Sequence, residues 1–293
     1  MDELSIQIFI YTFKYKSFNE TVNSTYQILC LSFTTFSKGG CIRLTSLPRI
    51  SQRWSFNDFE AKIFHHTFRG TAIKTLVIGF PRERLTLSSR RGFKKVRFVC
   101  NNFNPPELWD FLHNPENMET YYGEILSQLN IPCDDCVCLF TGVDMDDVAF
   151  TIERFEDFTI YAYVTAGVDS NAMRVGVDEA GSIERDGKFE RLKTINIILI
   201  TNASLTEGAM VQSIIVATEA KTIALQDLDV RSSYNPALQA TGTGTDNIVV
   251  VSGEGSKISY TGGHSKMGEM IAKAVTKATK EAIVKHRLRK AYK

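Results

Sequence analysis

The sequence has almost no excess of charge and no long apolar run. Its 34 Lys and Arg residues nearly cancel its 33 Asp and Glu residues, which leaves a formal net charge of +1. A chain this close to neutral lacks the field that draws proteins to nucleic acids or anionic membranes. The longest apolar run, at 195–200, is far shorter than the roughly 18 residues that span a bilayer. We therefore expect no nucleic-acid partner and no membrane insertion. The first residues do not resemble a secretory leader, so we expect a cytoplasmic protein.

Cysteine is scarce, with six residues in a chain of 293, which is too few for a disulfide scaffold. Three of them lie close together in Cys133-Asp-Asp-Cys136-Val-Cys138. A Cys-x-x-Cys pair forms half of many zinc sites, and His113 is a conceivable further ligand. The alternative is a turn that leads into a strand, with Cys138 as a small core residue. Because no second pair follows at the usual spacing, we predict no metal site.

Familiar catalytic and nucleotide-binding motifs are also missing. The sequence has no Gly-x-Ser-x-Gly elbow and no His-Glu-x-x-His motif, which disfavours an ordinary serine hydrolase or zinc amidase. The run Thr241-Gly-Thr-Gly-Thr245 is too short and too late in the chain for a dinucleotide or phosphate-binding fingerprint. Its glycines and N–H groups instead suit an anion-binding nest, an oxyanion hole or a tight connection between two elements.

The composition changes near residue 73. Residues 1–72 are rich in Phe, Ser, Thr and Asn and show no sustained helical period, so we predict a divergent or poorly ordered extension. Residues 73–293 are predicted to form one main domain. A chain beginning near Ile73 is therefore expected to fold by itself.

The centre of that domain is an alternation of buried strands and helices. The β-branched run at 194–201 is typical of a strand covered on both faces. An Ala-rich helix is predicted over 206–225, a second buried strand over 247–252, and a final helix with an apolar stripe from Met267 onward. Other predicted elements are a helix within 105–129 and strands over 149–152, 159–165 and 75–80, the last ended by Pro81. Together they predict an α+β fold in which mixed β-sheets pack against helices in a layered sandwich.

Five segments occur in an order found in one known family. They are Thr165-Ala-Gly-Val168, Thr194-Ile-Asn-Ile-Ile-Leu199, Thr218-Glu-Ala-Lys-Thr-Ile-Ala-Leu-Gln-Asp227, Ala240-Thr-Gly-Thr-Gly-Thr-Asp246 and Gly263-His264. In this combination the chain resembles the adenosylcobinamide amidohydrolases, which are corrinoid-salvage enzymes of archaea and some bacteria. The resemblance extends from about Ile73 to Val284.

The resemblance implies a reaction and a substrate. These enzymes hydrolyse the amide between aminopropanol and a propionate arm of the corrin ring, which gives adenosylcobyric acid for cobalamin salvage. The expected partner is thus a small-molecule corrinoid that carries its own cobalt, and no further cofactor is expected. An oligomer is compatible with this function.

Two other functions stay open. One is a corrinoid-binding protein without turnover. The other is an autoprocessing acyl-transferring enzyme, in which a hydroxyl at the start of the strand, here Thr194, takes part in the chemistry. Lys193 stands where relatives have glycine, so we expect no self-cleavage before Thr194.

Four candidates for catalysis are Glu219, Asp246, His264 and Thr194. Apolar residues one helical turn before and after Glu219 predict a buried carboxyl suited to acid–base work, or alternatively a structural ion pair. Asp246 either orients a hydroxyl or a substrate amide, or closes the glycine loop as a turn residue. His264 is an acid–base group, a ligand of the corrin cobalt, or a structural residue near a helix start.

The predicted substrate-binding residues are polar groups and glycines of the resembling region. They are Ser89, Asn171, Asn196, Asn202, Thr241, Gly242, Thr243 and Gly244. Ser89 belongs to a short polar segment that the family has at this point, and Asn171 matches an Asn of the family. The basic residues between Arg90 and Arg97 are predicted to lie on a solvated hairpin.

Overall fold

The structure, a computed structural model, describes residues 7–14, 25–32, 48–179 and 194–292. Its strands are β1 (Gln7–Lys14), β2 (Thr25–Ser32), β3 (Arg49–Ser55), β4 (Glu60–Phe68), β5 (Thr71–Ser88), β6 (Gly92–Phe103), β7 (Cys136–Thr141), β8 (Ala149–Phe155), β9 (Phe158–Ala166), β10 (Ala172–Met173), β11 (Ile195–Thr201), β12 (Ser204–Leu205), β13 (Gly242–Thr243), β14 (Asn247–Val251) and β15 (Lys257–Ile258). Its α-helices are α1 (Trp109–Leu112), α2 (Pro115–Gln128), α3 (Glu207–Asp227) and α4 (Lys266–Ala291). None of the helices among the described residues is long and apolar enough to cross a membrane.

One mixed sheet of nine strands forms the body of the protein. Seven strands follow the order β3-β4-β5-β14-β11-β9-β8, while β6 pairs with β5 and β7 with β6. The pairs β11–β14 and β6–β7 are parallel, and the other pairs of this sheet are antiparallel. The predicted α+β class and layered arrangement of mixed strands and helices are confirmed.

The long strand β5 belongs to both halves of the curled sheet. Its first half pairs with β4, and its last residues pair with β14. The pairing with β6 shifts register between Gly79 and Arg84, which marks a bulge or irregularity that contains Pro81. The prediction that Pro81 ends this strand is therefore wrong. A residue without an N–H is tolerated where the ladder is already interrupted.

Three apolar clusters hold the layers together. One lies between β9, β11 and β14 and the helices α3 and α4, and it includes Ile197 and Leu199. The second lies inside the curled sheet and receives Ile198 and Ile200 from the opposite face of β11. The third joins β5, β6 and β7 to α1 and α2. All residues of β11 are buried, as expected for a strand covered on both faces.

The start of the packed sheet differs from the boundary predicted at Ile73. Strand β3 pairs with β4, and β4 pairs with β5 along its whole length. Trp54, Phe59 and Ile63 lie in the inner cluster, where they are at most 8% exposed. Removal of residues 1–72 would therefore expose apolar side chains of the inner cluster to water. Further upstream, β1 and β2 form an antiparallel pair. The part of this region that the structure describes consists mainly of the strands β1 to β4, which accounts for its lack of a helical period.

Candidate functional site

Strand β11 pairs with β14 in parallel and with β9 in antiparallel, and this pairing brings polar ends of the three strands together. Asn196 lies opposite Asn247 on one side and opposite Thr165 on the other. The end of β5 joins them, since Val249 pairs with Ser88. Polar groups that precede β11 and β14 and follow β5 and β9 therefore meet at one edge of the sheet. We call this edge the polar end.

A chain of side-chain amides and hydroxyls crosses the polar end. Asn196 Nδ2 donates to Asn101 Oδ1 at 2.8 Å, and Asn101 Nδ2 donates to Thr165 Oγ1 at 2.9 Å. Asn247 Nδ2 donates to Asn196 Oδ1 at 3.3 Å, and Ser89 Oγ donates to Asn247 Oδ1 at 3.3 Å. Thr165, Asn101 and Asn196 are buried, and Ser89 is exposed. Because buried amides that satisfy one another hold fixed orientations, this chain presents a rigid polar surface from core to solvent.

The carboxylate of Asp246 is the charged centre of the polar end. Lys221, which is 7% exposed, donates from Nζ to Asp246 Oδ2 at 2.5 Å. The N–H of Thr243 donates to the carboxylate at 3.1 Å, and the N–H of Ile195 at 3.2 Å. The Thr243 hydroxyl donates to it as well. Asp246 thus closes the loop as a turn residue and also orients a hydroxyl, so the two predicted roles coexist.

Gly242 is required for the close approach of this ion pair. A Cβ atom at this position would lie 2.6 Å from Lys221 Nζ and would overlap Asp246 Oδ2. A side chain at this position would therefore displace the Lys221 ammonium or the Asp246 carboxylate from its present place. The glycine serves the packing of the charge pair, which is a tighter constraint than backbone freedom alone.

Thr194 lies directly before β11 and is 3% exposed. Its hydroxyl donates to the carbonyl of Thr245, and its own carbonyl accepts from the N–H of Gly167 at 3.2 Å. The structure thus brings Thr194 next to the loop that carries Asp246. The expectation about Lys193 lies outside the described residues.

The other loop residues predicted to bind substrate lie at the same end. Strand β13 pairs with β10, so that Thr243 lies opposite Ala172. Thr241 Oγ1 accepts from the N–H of Val175 at 3.0 Å. Asn171 is buried under Gly244, where an added Cβ would lie 3.4 Å from Asn171 Oδ1.

Asn202 and His264 lie at the opposite end of the central strands. Asn202 follows β11, whose seven residues span about 20 Å. Its Oδ1 accepts from Thr159 N at 2.9 Å and its Nδ2 donates to Asp157 O at 2.6 Å, so it closes a backbone turn. His264 is exposed in the turn before α4, close to Thr261, which donates to Ala209 O near the start of α3 at 2.6 Å. The structure does not bring these two residues to the polar end.

Glu219 is exposed, so the prediction that it is buried is wrong. Of the three apolar neighbours used for that prediction, Val216 is buried, but Ile215 and Ile223 are themselves 53% and 49% exposed. The buried face of α3 instead carries Lys221, two residues further on. Glu219 lines a shallow groove of about 720 Å³ between α3 and α4, together with Lys273.

Three thiols lie together in the third apolar cluster, away from the polar end. Cys136 Sγ lies 3.6 Å from Cys100 Sγ, and Cys138 pairs with Cys100 across β6 and β7. Contact with the Cys136 thiol and burial raise the pKa of Cys100, which favours the neutral thiol. Cys133 is exposed, and His113 is exposed as well. Among the described residues no group of three His, Cys, Asp or Glu side chains is placed to hold a metal ion.

Sequence reasoning missed Lys221, Asn101 and Asn247. A signal existed for Asn247, because it directly follows Asp246 at the start of a buried strand. Lys221 belongs to the predicted helix, and no local pattern indicates that its side chain is buried. Asn101 lies near the end of β6, and its partners come from β9 and β11, so no local pattern predicts its role.

Comparison with known proteins shows that the chain matches a family. The family described as adenosylcobinamide amidohydrolase matches residues 60–291, beginning at the first residue of β4. An uncharacterized protein of Methanocaldococcus jannaschii is 50% identical over 223 residues, which are 72% of this chain and 86% of that protein. An adenosylcobinamide amidohydrolase of Methanosarcina mazei is 30% identical over 225 residues, which are 72% of this chain and 94% of that protein.

Solved structures are more distant. The L-aminopeptidase D-Ala-esterase/amidase of Ochrobactrum anthropi aligns with 78% of this chain and 83% of its own at a TM-score of 0.36 and 12% identity. The family match covers most of the chain and all residues of the polar end. The chain belongs to the adenosylcobinamide amidohydrolase family.

Proposed function

We propose that this protein hydrolyses the amide bond that joins aminopropanol to a propionate arm of the corrin ring in adenosylcobinamide. The products are adenosylcobyric acid and aminopropanol. Family membership supports the reaction class, and the name of the Methanosarcina mazei relative supports the substrate. The observation that carries the proposal is the convergence of Thr194, Asp246 and Lys221 with the Asn101–Asn196–Asn247 amides at the polar end.

Amide hydrolysis needs groups that the polar end contains. Attack on the carbonyl carbon places negative charge on its oxygen, and the leaving amine must take up a proton. The Lys221 ammonium and the amide of Asn247 are donors fixed near the loop. Asp246 is the carboxylate in contact with a hydroxyl, that of Thr243. We propose that Thr194 and Asp246 take part in the reaction. Catalytic roles for Glu219 and His264 remain predictions that mutation can test.

The predicted substrate-binding residues lie at the polar end, apart from Asn202 at the opposite end of β11. Thr241, Gly242, Thr243 and Gly244 form the loop wall of the polar end, with Asn171 beneath it and Asn196 and Ser89 across from it. We propose that Ser89, Thr241 and Gly244, which reach the surface, contact the amide arm of the substrate, and that the buried Asn171 and Asn196 hold them in position. The corrinoid would bring its own cobalt, so the reaction as proposed uses no resident metal.

The test is incubation of the purified chain with adenosylcobinamide, followed by chromatography for adenosylcobyric acid and an assay for free aminopropanol. We expect both products in equal amounts. Asp246→Asn is the matched control, because it keeps the shape of the side chain and removes its charge. Tight binding of the corrinoid without either product would instead favour a binding protein.

The mass of the intact chain provides a further test. We expect a single species. Two fragments that separate at Lys193-Thr194 would favour the autoprocessing acyl-transferring enzyme.

A further inference from the structure

Two loops beside the polar end expose large apolar side chains. Val175 and Val177, in the turn that follows β10, are 65% and 60% exposed. Tyr234, in the loop between α3 and β13, is 53% exposed. Gly176, with a φ of 89°, turns the backbone between the two valines. We call these three side chains the apolar platform.

The apolar platform stands on an ordered backbone. The carboxylate of Asp178 accepts from Arg174 N at 2.5 Å and from Ser232 Oγ at 2.6 Å, which joins the two loops. Ser233 N donates to Ala172 O at 2.8 Å, and Tyr234 N donates to Ser232 Oγ at 3.1 Å. Because both loops are fastened to each other, the exposure of the three side chains belongs to the folded structure rather than to a loose segment.

The apolar platform is continuous with the polar end. The N–H of Thr241 donates to Met173 O at 2.9 Å, and the N–H of Val175 donates to Thr241 Oγ1 at 3.0 Å. Two residues after Thr241, Thr243 contacts the carboxylate of Asp246. An extended apolar group seated on the platform would thus hold a polar arm against the Thr241–Gly244 loop.

We infer that the apolar platform binds the face or edge of a flat, methyl-rich macrocycle, while an amide arm of the same molecule reaches the polar end. This inference rests on the proposed function, in which the substrate is a corrin with amide arms. Aromatic and branched aliphatic side chains that stay exposed beside a polar site are the usual lining of a pocket for such ligands. The tyrosine supplies a ring face, and the valines supply methyl contacts.

The experiment titrates the full chain with dicyanocobinamide and follows binding by tyrosine and tryptophan fluorescence. Tyr234→Ser and Val177→Asn should each raise the dissociation constant by about tenfold, the scale of one lost aromatic or aliphatic anchor. The matched controls are Tyr260→Ser and Val211→Asn. They alter a tyrosine that is 51% exposed and a valine that is 47% exposed, both away from the polar end. Both controls should bind as the unaltered chain does.

The outcomes separate the platform from the reaction. Equal binding by Tyr234→Ser, Val177→Asn and the unaltered chain, with hydrolysis intact, would overturn the apolar platform alone. A loss of thermal stability in Val177→Asn that matches its loss of affinity would also overturn it, because the residue would then be part of the packing. Failure of the unaltered chain to bind any corrinoid would overturn both proposals. Tenfold weaker binding with unchanged melting temperature supports the platform even if no hydrolysis is found.

Discussion

The polar groups at the two ends of the β11–β14 pair have different kinds of hydrogen-bond partner. At the polar end, Lys221, Asp246 and Asn196 bond to side chains that come from other elements. At the opposite end, Asn202 bonds to the backbone of Asp157 and Thr159, 45 and 43 residues away in the sequence, and so ties the turn between β8 and β9 to the end of β11. A side chain that closes a turn stabilises the fold, whereas side chains held by one another are fixed relative to a common point. Chemistry requires the second arrangement.

The largest expected effect follows from removal of the cation at the polar end. Lys221→Met leaves the carboxylate of Asp246 without its charged partner in a partly buried site. We expect the free energy of unfolding to fall by about 3–5 kcal/mol, the usual cost of breaking a buried pair from one side. Urea unfolding followed by circular dichroism measures it. A change below about 1 kcal/mol, the range of exposed pairs, would mean that the polar end is open to water.

A second prediction compares two carboxylates. Asp246→Asn should lower kcat by about 10², the scale of acid–base assistance, because it removes the charge that polarises the Thr243 hydroxyl. Glu219→Gln makes the same chemical change on the exposed face of α3, and we expect kcat to stay within about twofold. Steady-state hydrolysis of adenosylcobinamide measures both. The opposite order would move the reaction to the groove between α3 and α4.

A third prediction concerns acid stability and the buried carboxylate of Asp147, which precedes β8. Burial raises its pKa, but hydrogen bonds from His286 Nδ1 at 3.2 Å and Arg289 Nε at 2.6 Å outweigh this and leave the pKa below its usual value. A carboxyl group whose pKa in the folded state lies below the unfolded value of about 3.9 stabilises the fold at pH values above 3.9. This stabilisation is lost as the pH falls below about 3.9 through the folded pKa. The unaltered chain should therefore lose stability steeply below about pH 4.

Two variants test the origin of this acid dependence. Asp147→Asn should be less stable at pH 7 and should show a flatter decline in acid. Asp229→Asn is the control, because Asp229 also has a pKa lowered by hydrogen bonds from Gln239 and Arg231 but lies exposed on the surface. Urea unfolding at a series of pH values measures both. An unchanged acid limb in Asp147→Asn would assign the effect to other carboxylates.

A fourth and smaller effect is expected at the opposite end of the strands. Asn202→Ala removes two hydrogen bonds to the backbone and should lower the free energy of unfolding by about 1–3 kcal/mol. The value of kcat should not change, since the residue lies about 26 Å from Thr194 along β11. A fall in kcat at unchanged stability would place Asn202 in contact with substrate.

The smallest effect is expected for His264→Ala. The side chain is exposed beyond the far end of β11, so we expect unchanged kcat and stability. The visible spectrum of a bound corrinoid is the sharper measurement, because loss of a cobalt ligand changes it and loss of a surface side chain does not. A changed spectrum would establish His264 as a ligand of the cobalt.

The sequence predicted the elements of the central region well, for physical reasons. The β-branched run before Thr201 has no plausible place outside a doubly covered strand. Helix α3 begins at Glu207 after Thr206, whose side chain accepts from Ala209 N, and this agrees with the predicted start at 206. Asn114 caps α2, where its side chain accepts from the N–H of Glu116.

What the sequence could not provide is the direction of single side chains on those elements. Glu219 and Lys221 lie two residues apart on one helix, and local apolar neighbours favoured the wrong one as the buried group. The partner of Lys221 is 25 residues away in another element, so only the packing of α3 on the sheet decides the matter. The same holds for Asn101, which meets Asn196 across 95 residues.

The length of β5 has a consequence for how the molecule opens. Eighteen consecutive residues serve both halves of the sheet, so neither half can detach while the other stays intact. Partial opening that would admit protease or solvent to the interior is thereby tied to the unfolding of the whole. Amide protons between Leu76 and Ile78, where β5 pairs with β4 on one side and β6 on the other, should exchange only through that global event, at a rate that reports the stability of the folded sheet. This strand is a natural place to observe whether a bound corrinoid slows the opening of the protein as a single unit.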